Sequence, residues 1–465
     1  MNFVKKQLFF AASIMLMAFI IISYVILLFE HPSIHKDSGY YLKIAYDLSN
    51  GMSFFNGLNC SYTPLGMYLL SIPFYVFSGE ASIQSILICF LIIYMFIGLV
   101  FYKTAFYFNS NKKINFFATL LLLCLIFGLE GYHILLEPYV LLFQLLALYT
   151  LLKYETNKRT LIVVGVFVFL AFFAKQYGLF ILPAIVFIMY KKSVTNKDLL
   201  VNLSLLSLGI FIPFLLLIVY FCFYNNIELI SFLKQLSGIP VLSGEEIVTD
   251  VNYSVNGLYK SLKRVVAIFP FVFFFLGFIP LIVKKELSTI TVFSMMLLFG
   301  ASGTLFFAYW LHYFQLIIPY ALLLLLSMPE IFYKRFSLVL GILFVFFLKA
   351  SYIEFQRAKS KKVRVHARQN VVKDELSKYL QASDKVYLQG ISPSFYFLNK
   401  FDSPNYSKLG YKFPEELSLH AMHTNLNDGQ FIIVDYELIN NQNFSNYKLI
   451  ATFNYANMKK VILKK

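Results

Sequence analysis

Residues 8–29 read LFFAASIMLMAFIIISYVILLF, an apolar run without a single charge, preceded by Lys5 and Lys6 and closed by Glu30. A helix of that length reaches about 33 Å, enough to cross the roughly 30 Å hydrocarbon core of a bilayer. The run is longer than the core of a signal peptide and has no small-residue cleavage site behind it, so it reads as an uncleaved first span.

The same pattern recurs along the chain. Apolar runs that cross, or whose bounding loops force a crossing, lie near 8–29, 83–107, 114–131, 137–152, 160–174, 176–190, 199–224, 264–283, 288–308, 311–328 and 336–352, about eleven transmembrane helices. Residues 160–190 also read as one kinked excursion, and 65–79 as a further short span. The composition agrees: 59% hydrophobic and 14% charged over 465 residues, with a mean hydropathy of +0.69, is more apolar than a soluble core of this length accommodates. A bilayer is the expected solvent.

The net charge of +16 would suggest nucleic acid in a soluble protein, but most of it sits in short loops between apolar runs, so no nucleic-acid partner is expected. With the N-terminus inside, one set of loops holds Lys5, Lys6, Lys103, Lys112, Lys113, Lys153, Lys158, Arg159, Lys191, Lys192, Lys197, Lys284, Lys285, Lys334 and Arg335, while the opposite short loops are nearly free of cations. By the positive-inside rule this orients a multi-pass protein of the cell (inner) membrane with a cytoplasmic N-terminus; an odd span count then makes the C-terminus extracytoplasmic. Cys60, Cys89, Cys124 and Cys222 show no CxxC spacing and predict neither a disulfide framework nor a zinc site.

The expected division is a transmembrane domain over 1–352, with outer loops at 30–82 and 225–262, and a small extracytoplasmic α/β domain over 353–465. In the latter a basic, helix-permissive stretch from Lys359 to Leu380 leads into strand-like runs at 385–389, 431–435 and 447–453.

Candidate chemistry gathers at the outer ends of spans. Asp37-Ser-Gly-Tyr-Tyr opens a stretch with Tyr40, Tyr41, Ile44, Ala45 and Leu48 at helical spacing, stopped by Asn50-Gly51, which predicts an amphipathic helix on the membrane surface. Asp37 is either the N-cap of that helix or a carboxylate facing an outer cavity. Tyr62-Thr-Pro-Leu-Gly predicts a second helix opened by Pro64. Glu137-Pro138 starts a span at its outer end, where the helix dipole favours an ionised carboxylate with or without a further role. Lys175-Gln176 falls in a tight outer turn, where a cation either snorkels or meets an anion such as a phosphate. His312-Tyr313 begins another span from the same side. The pairs His31 and His35, and His420 and His423, have spacings a divalent metal uses, but neither has a third or fourth ligand.

Taken in order, Asp37-Ser-Gly-Tyr-Tyr, Tyr62-Thr-Pro-Leu-Gly, Phe77-Ser-Gly79, Glu137-Pro138, Ala174-Lys175-Gln176, His312-Tyr313 with Pro319, and Asp384-Lys-Val-Tyr-Leu-Gln-Gly390 with Pro393 and Tyr396 resemble the GT-C glycosyltransferases. The nearest branch is that of the protein O-mannosyltransferases and the lipid A aminoarabinose transferase. The likeness runs from the first span to about residue 400. It departs at Ser38, where many relatives have Glu, and at Tyr62-Thr63, where the aminoarabinose branch has a Lys before its prolines.

This resemblance implies an enzyme that moves a sugar from a polyprenyl-phosphate-linked donor to a lipid, glycan or protein acceptor at the extracytoplasmic face, with inversion and with no resident cofactor, a divalent metal remaining open. It implies Asp37 as catalytic base with Glu137 as the second catalytic carboxylate. Lys175, His312 and Tyr313 would face the donor phosphate, and Tyr40, Tyr41, Tyr62 and Gln176 would line the substrate cavity. The alternative on the same composition is a lipid-linked saccharide flippase or polymerase, which would not be expected to carry a folded terminal domain.

Overall fold

The computed structural model describes residues 3–52, 54, 63–77, 81–154, 157–236, 255–270, 288–306, 310–328, 330–388, 391–392, 394–401, 430–437, 444, 446–455 and 458–465. The protein is an α-helical polytopic membrane protein with a small C-terminal sheet.

Helix α1 (Phe3–Glu30) is the expected first span. Helix α2 (Lys36–Ser49) follows in the loop after α1 and stops at Asn50-Gly51 as its residues predict, and α3 (Pro64–Val76) opens with its proline in the first turn. Then come α4 (Ile83–Ala105), α5 (Lys112–Ile126) with a π turn over Phe127–Gly131, and α6 (Glu137–Lys153). Helix α7 (Lys158–Ala174) ends where Lys175 turns extended, and a short 3₁₀ turn over Gln176–Ile181 leads to α8 (Leu182–Lys192). The 160–190 region is thus broken in two at Lys175. After α9 (Asn196–Ile218), α10 (Leu229–Leu236) and α11 (Val255–Ile268) come α12 (Thr289–Ser302), a 3₁₀ turn at Leu311–Leu316, α13 (Ile318–Leu326) and the 47-residue α14 (Glu330–Leu376).

Among the described residues, five helices are long and apolar enough to cross a membrane: 10–30, 83–105, 112–131, 196–224 and 339–376. Three further apolar helices over 64–76, 289–305 and 311–326 are shorter, as are α6 and α7 at 17 residues each. Much of the expected span at 264–283, and of the loop at 225–262, lies outside the described residues. Helix α7 packs between α6 and α9, α4 lies against α6, and α1 against α5 and α14.

Helix α2 differs from its expectation. A surface amphipathic helix should keep a wet face, yet on α2 Tyr41, Leu42, Ile44, Ala45 and Leu48 are all buried, and so are Lys43 and Asp47. The polar pair survives there because Lys43 Nζ lies 2.8 Å from Asp47 Oδ1, one turn away. What covers the helix is α3 on one side and α15 (Ser394–Leu398) on another. Gly39 makes the second contact possible: a Cβ there would stand 2.3 Å from Ser394 Cα.

Helix α14 runs through 352/353 without a break, so the expected domain boundary falls inside a single rod of about 70 Å. Its second half grips the segment between α1 and α2. Gln369 Nε2 donates to the Ile34 carbonyl (2.6 Å) and to Ser394 Oγ (3.1 Å), its Oε1 accepts from the Ile34 amide (3.0 Å), and Lys362 Nζ donates to the Ser33 carbonyl (3.2 Å).

The expected strands form as β1 (Val386–Leu388), β2 (Phe431–Asp435) and β3 (Lys448–Tyr455), with β4 (Met458–Lys464) in addition. Their order is β1-β2-β4-β3, with β1 parallel to β2 and the other pairs antiparallel. Alternation divides the faces: Val386, Leu388, Ile433 and Ile462 join the main core with the helices, while Tyr387, Ile432, Val434, Val461 and Leu463 close around Phe444.

Candidate functional site

Glu137 opens α6 and has no solvent exposure, and Lys175, at the break after α7, is 1% exposed. A buried carboxylate or ammonium is costly unless compensated, and here each compensates the other: Lys175 Nζ donates to Glu137 Oε1 at 2.6 Å. The same ammonium donates to Tyr313 Oη at 3.3 Å and sits 4.7 Å and 5.5 Å from the ring centres of Tyr313 and Tyr177, both within cation–π range. Extended backbone at Lys175 is what turns its side chain out of the α7 register toward this group. Gly66 of α3 allows the turn to be covered closely, since a Cβ there would lie 2.8 Å from the Ala174 carbonyl oxygen.

His312, in the 3₁₀ turn before α13, stands between two carboxylates. Its Nδ1 is 3.3 Å from Glu130 Oε2 and its Nε2 is 3.8 Å from Glu137 Oε1. Glu130 sits in the π turn that ends α5, in the left-handed region at φ 68°, ψ 14°. Glu137, Lys175, His312 and Tyr313 therefore come from three separate stretches of sequence to one point, and Glu130 joins them from a fourth.

Asp37 lies in the first turn of α2 with 23% of its side chain exposed. It is not the N-cap: His35 is, with Nδ1 accepting from the Asp37 amide at 3.4 Å. That bond places the imidazole proton on Nε2, and burial pushes His35 down to about 4, so the ring is neutral at neutral pH. The 3.5 Å approach of His35 Nδ1 to Asp37 Oδ2 is consequently not an ion pair. His35 stacks on His133 with ring centres 4.5 Å apart, and burial lowers His133 well below the usual imidazole range. Lys361 of α14, Glu130 and His312 are the further ionisable neighbours of His35.

The expected cavity residues divide. Tyr40 and Tyr41 lie one turn after Asp37, half-buried and buried, with ring centres 6.0 Å apart. Gln176 is half-buried at the start of the 3₁₀ turn beside Lys175. Tyr62 lies outside the described residues, as do Cys60, His420 and His423. His31 and His35 do not act as a pair: His31 faces His366 at 5.8 Å while His35 faces His133. Among the described residues no group of three His, Cys, Asp or Glu side chains has metal-holding geometry.

Sequence reasoning missed Glu130, His133 and the inward-facing lysines of α14. An acidic residue inside the apolar run 114–131 is itself a signal of function in a membrane segment, and Glu130 carried it.

No protein-family model matches the sequence, and no curated protein does either. Solved structures do. ArnT from Cupriavidus metallidurans bound to undecaprenyl phosphate aligns with a TM-score of 0.62 at 11% identity, covering 99% of this chain and 98% of that one. Its apo form gives 0.62 and 11% over 97% of each chain. The Archaeoglobus fulgidus oligosaccharyltransferase gives 0.48 at 14% identity, over 91% of this chain and 68% of that one. From first span to terminal sheet, the chain has the fold of the GT-C membrane glycosyltransferases.

Proposed function

We propose that this protein is a membrane glycosyltransferase that moves a sugar from a polyprenyl-phosphate-linked donor to a lipid, glycan or protein acceptor, with inversion, at the extracytoplasmic face of the cell membrane. In this reading the N-terminus is cytoplasmic and the C-terminal α/β region extracytoplasmic. The observation that carries it is the convergence, at the ends of α5, α6 and α7 and in the turn before α13, of two carboxylates with a buried ammonium and an imidazole. That inventory suits displacement of a phosphate from an anomeric carbon. The undecaprenyl phosphate bound by the structurally similar ArnT supports the class of carrier.

In the reaction, an acceptor hydroxyl attacks the anomeric carbon from the face opposite the phosphate. The new carbon–oxygen bond forms as the bond to the phosphate oxygen breaks, the proton of the hydroxyl passes to Asp37, and the electron pair leaves with the lipid phosphate. Asp37 suits the role of base because it is partly exposed and is not committed to capping its helix. A phosphate leaving group needs positive charge near it more than a proton donor, which Lys175 with Tyr313 and His312 would supply. Glu137, fully buried, would act by holding Lys175 in place. Tyr40, Tyr41, Tyr62 and Gln176 would border the sugar and the acceptor.

The test is to incubate the purified protein in vesicles with undecaprenyl-phosphate sugars and a cell-envelope extract as acceptor source, and to measure free undecaprenyl phosphate. Release that depends on both protein and extract is expected. Sugar-lipid that crosses the vesicle membrane intact, with no release, would instead identify a flippase.

A further inference from the structure

We propose that Glu130 is a positioning residue of this site, holding His312 between two carboxylates so that its second ring nitrogen is aimed at Glu137. This rests on the transferase reading for its consequence in turnover, but not for its geometry.

The first observation is the backbone. Glu130 has φ 68° and ψ 14°, a conformation that a non-glycine residue rarely adopts and that glutamate, unlike asparagine or aspartate, has no local side-chain bond to favour. A glycine stands beside it at 131, yet the strained position is Glu130. Such strain persists only where the surroundings over-determine it, and here they do. The carbonyl before it, of Leu129, accepts from Gln315 Nε2 at 2.8 Å; its own carbonyl accepts from the His133 amide at 3.0 Å; the carbonyl after it, of Gly131, accepts from Tyr94 Oη at 2.9 Å. Three consecutive carbonyls are thus bonded, the middle one within the turn and the outer two by the turn before α13 and by α4, which hold the turn where it is.

The second observation is where the side chain goes. Glu130 lies at the end of an apolar run, and it leaves that run to meet a residue 182 positions away, His312, at 3.3 Å. The other nitrogen of the same ring lies 3.8 Å from Glu137 Oε1. A ring with carboxylate oxygens facing both nitrogens is matched when both carry hydrogens. Glu130 thereby fixes the ring plane, and the ring faces Glu137 from the side opposite Glu130. The other ionisable groups around Glu130 are Lys361 of α14 and the neutral His35 before α2, so the turn lies between the start of α2 and the buried pair.

Three variants and two readouts test this. Glu130→Gln keeps the size of the side chain and removes its charge. In the wild-type background it should lower kcat for transfer about tenfold or more, with KM for the sugar-lipid changed far less. In a His312→Gln background the same change should cost under about twofold. Equal losses in both backgrounds would overturn the proposal, because a merely structural residue gives additive effects. Glu130→Gly adopts the backbone angle without strain. It should melt no lower than wild type and still lose transfer; full activity in that variant would also overturn it.

The second readout needs no turnover. The chain has seven histidines, so side-chain ¹⁵N spectra of protein in detergent are tractable, and His312→Gln identifies the His312 signals. Glu130→Gln should shift them, and an unchanged His312 signal would refute the contact. If the wild-type protein transfers no sugar, the proposed function fails while the spectra still decide whether Glu130 holds His312.

Discussion

Breaking the Glu137–Lys175 pair from one side should destabilise the protein more than removing it altogether. At 2.6 Å and an effective dielectric of about 20, the Coulomb attraction is roughly 6 kcal/mol, most of it spent on taking two ions out of water. Glu137→Leu strands a Lys175 that is 1% exposed. The rings of Tyr313 and Tyr177 recover about 1–2 kcal/mol of that loss. The net cost should therefore be about 3–5 kcal/mol, which for a cooperative transition in a chain of this length is a fall of roughly 4 °C in melting temperature. Lys175→Met should cost a similar amount, since it leaves a buried Glu137 whose next polar neighbour is His312 Nε2 at 3.8 Å. The double variant Glu137→Leu with Lys175→Met removes both charges and should recover most of the loss. The assay is thermal unfolding of the four proteins in one detergent, read as a double-mutant cycle. A double variant no more stable than either single one, or singles within about 0.5 kcal/mol of wild type, would refute the view that the two ions are held by each other.

Three further outcomes are expected. His35 is held near 4 against about 6.5 unfolded, so the unfolded chain binds more protons in that window; stability should fall by about 2 kcal/mol from pH 7 to pH 5, and less in His35→Asn, while melting temperatures equal at the two pH values in wild type would contradict the neutral-imidazole assignment. Gly66→Val should push α3 off the Ala174 carbonyl, costing about 1–3 kcal/mol and lowering transfer; a variant that melts and turns over like wild type would show that the close approach is dispensable. A reporter fused after Lys465 should read extracytoplasmic and one fused at Lys192 cytoplasmic; the reverse pair of results would discard the proposed orientation and the face of action with it.

What could be read from the sequence followed the reach of each interaction. Apolar runs, the stop at Asn50-Gly51 and the proline-opened helix at Pro64 are local signals and appeared where expected. So did the pairs Glu137-Pro138 and Lys175-Gln176, because a charge at the end of an apolar run stands out. The cap of α2 was not legible: preference rankings favour aspartate, and only the fold shows that His35 accepts the Asp37 amide. Nor was the burial of α2, which depends on a terminal segment more than 350 residues away meeting Gly39. Strand β4 was hidden in the basic tail, where Met458-Lys-Lys-Val-Ile-Leu-Lys464 mixes cations with a short apolar core. Glu130 stands out as an acidic residue in an apolar run, but its left-handed backbone and its partner 182 residues on are not visible in a linear pattern.

The most direct test of the central claim is transfer by Asp37→Asn. Asparagine keeps the size of the side chain and cannot take a proton, and because His35 caps the helix, the change should leave insertion and melting temperature close to wild type. Measured as release of undecaprenyl phosphate from an undecaprenyl-phosphate sugar in vesicles, transfer should drop on the order of a hundredfold or more. Near-normal release by a stably folded Asp37→Asn protein would contradict the assignment of Asp37 as the base and the mechanism built on it.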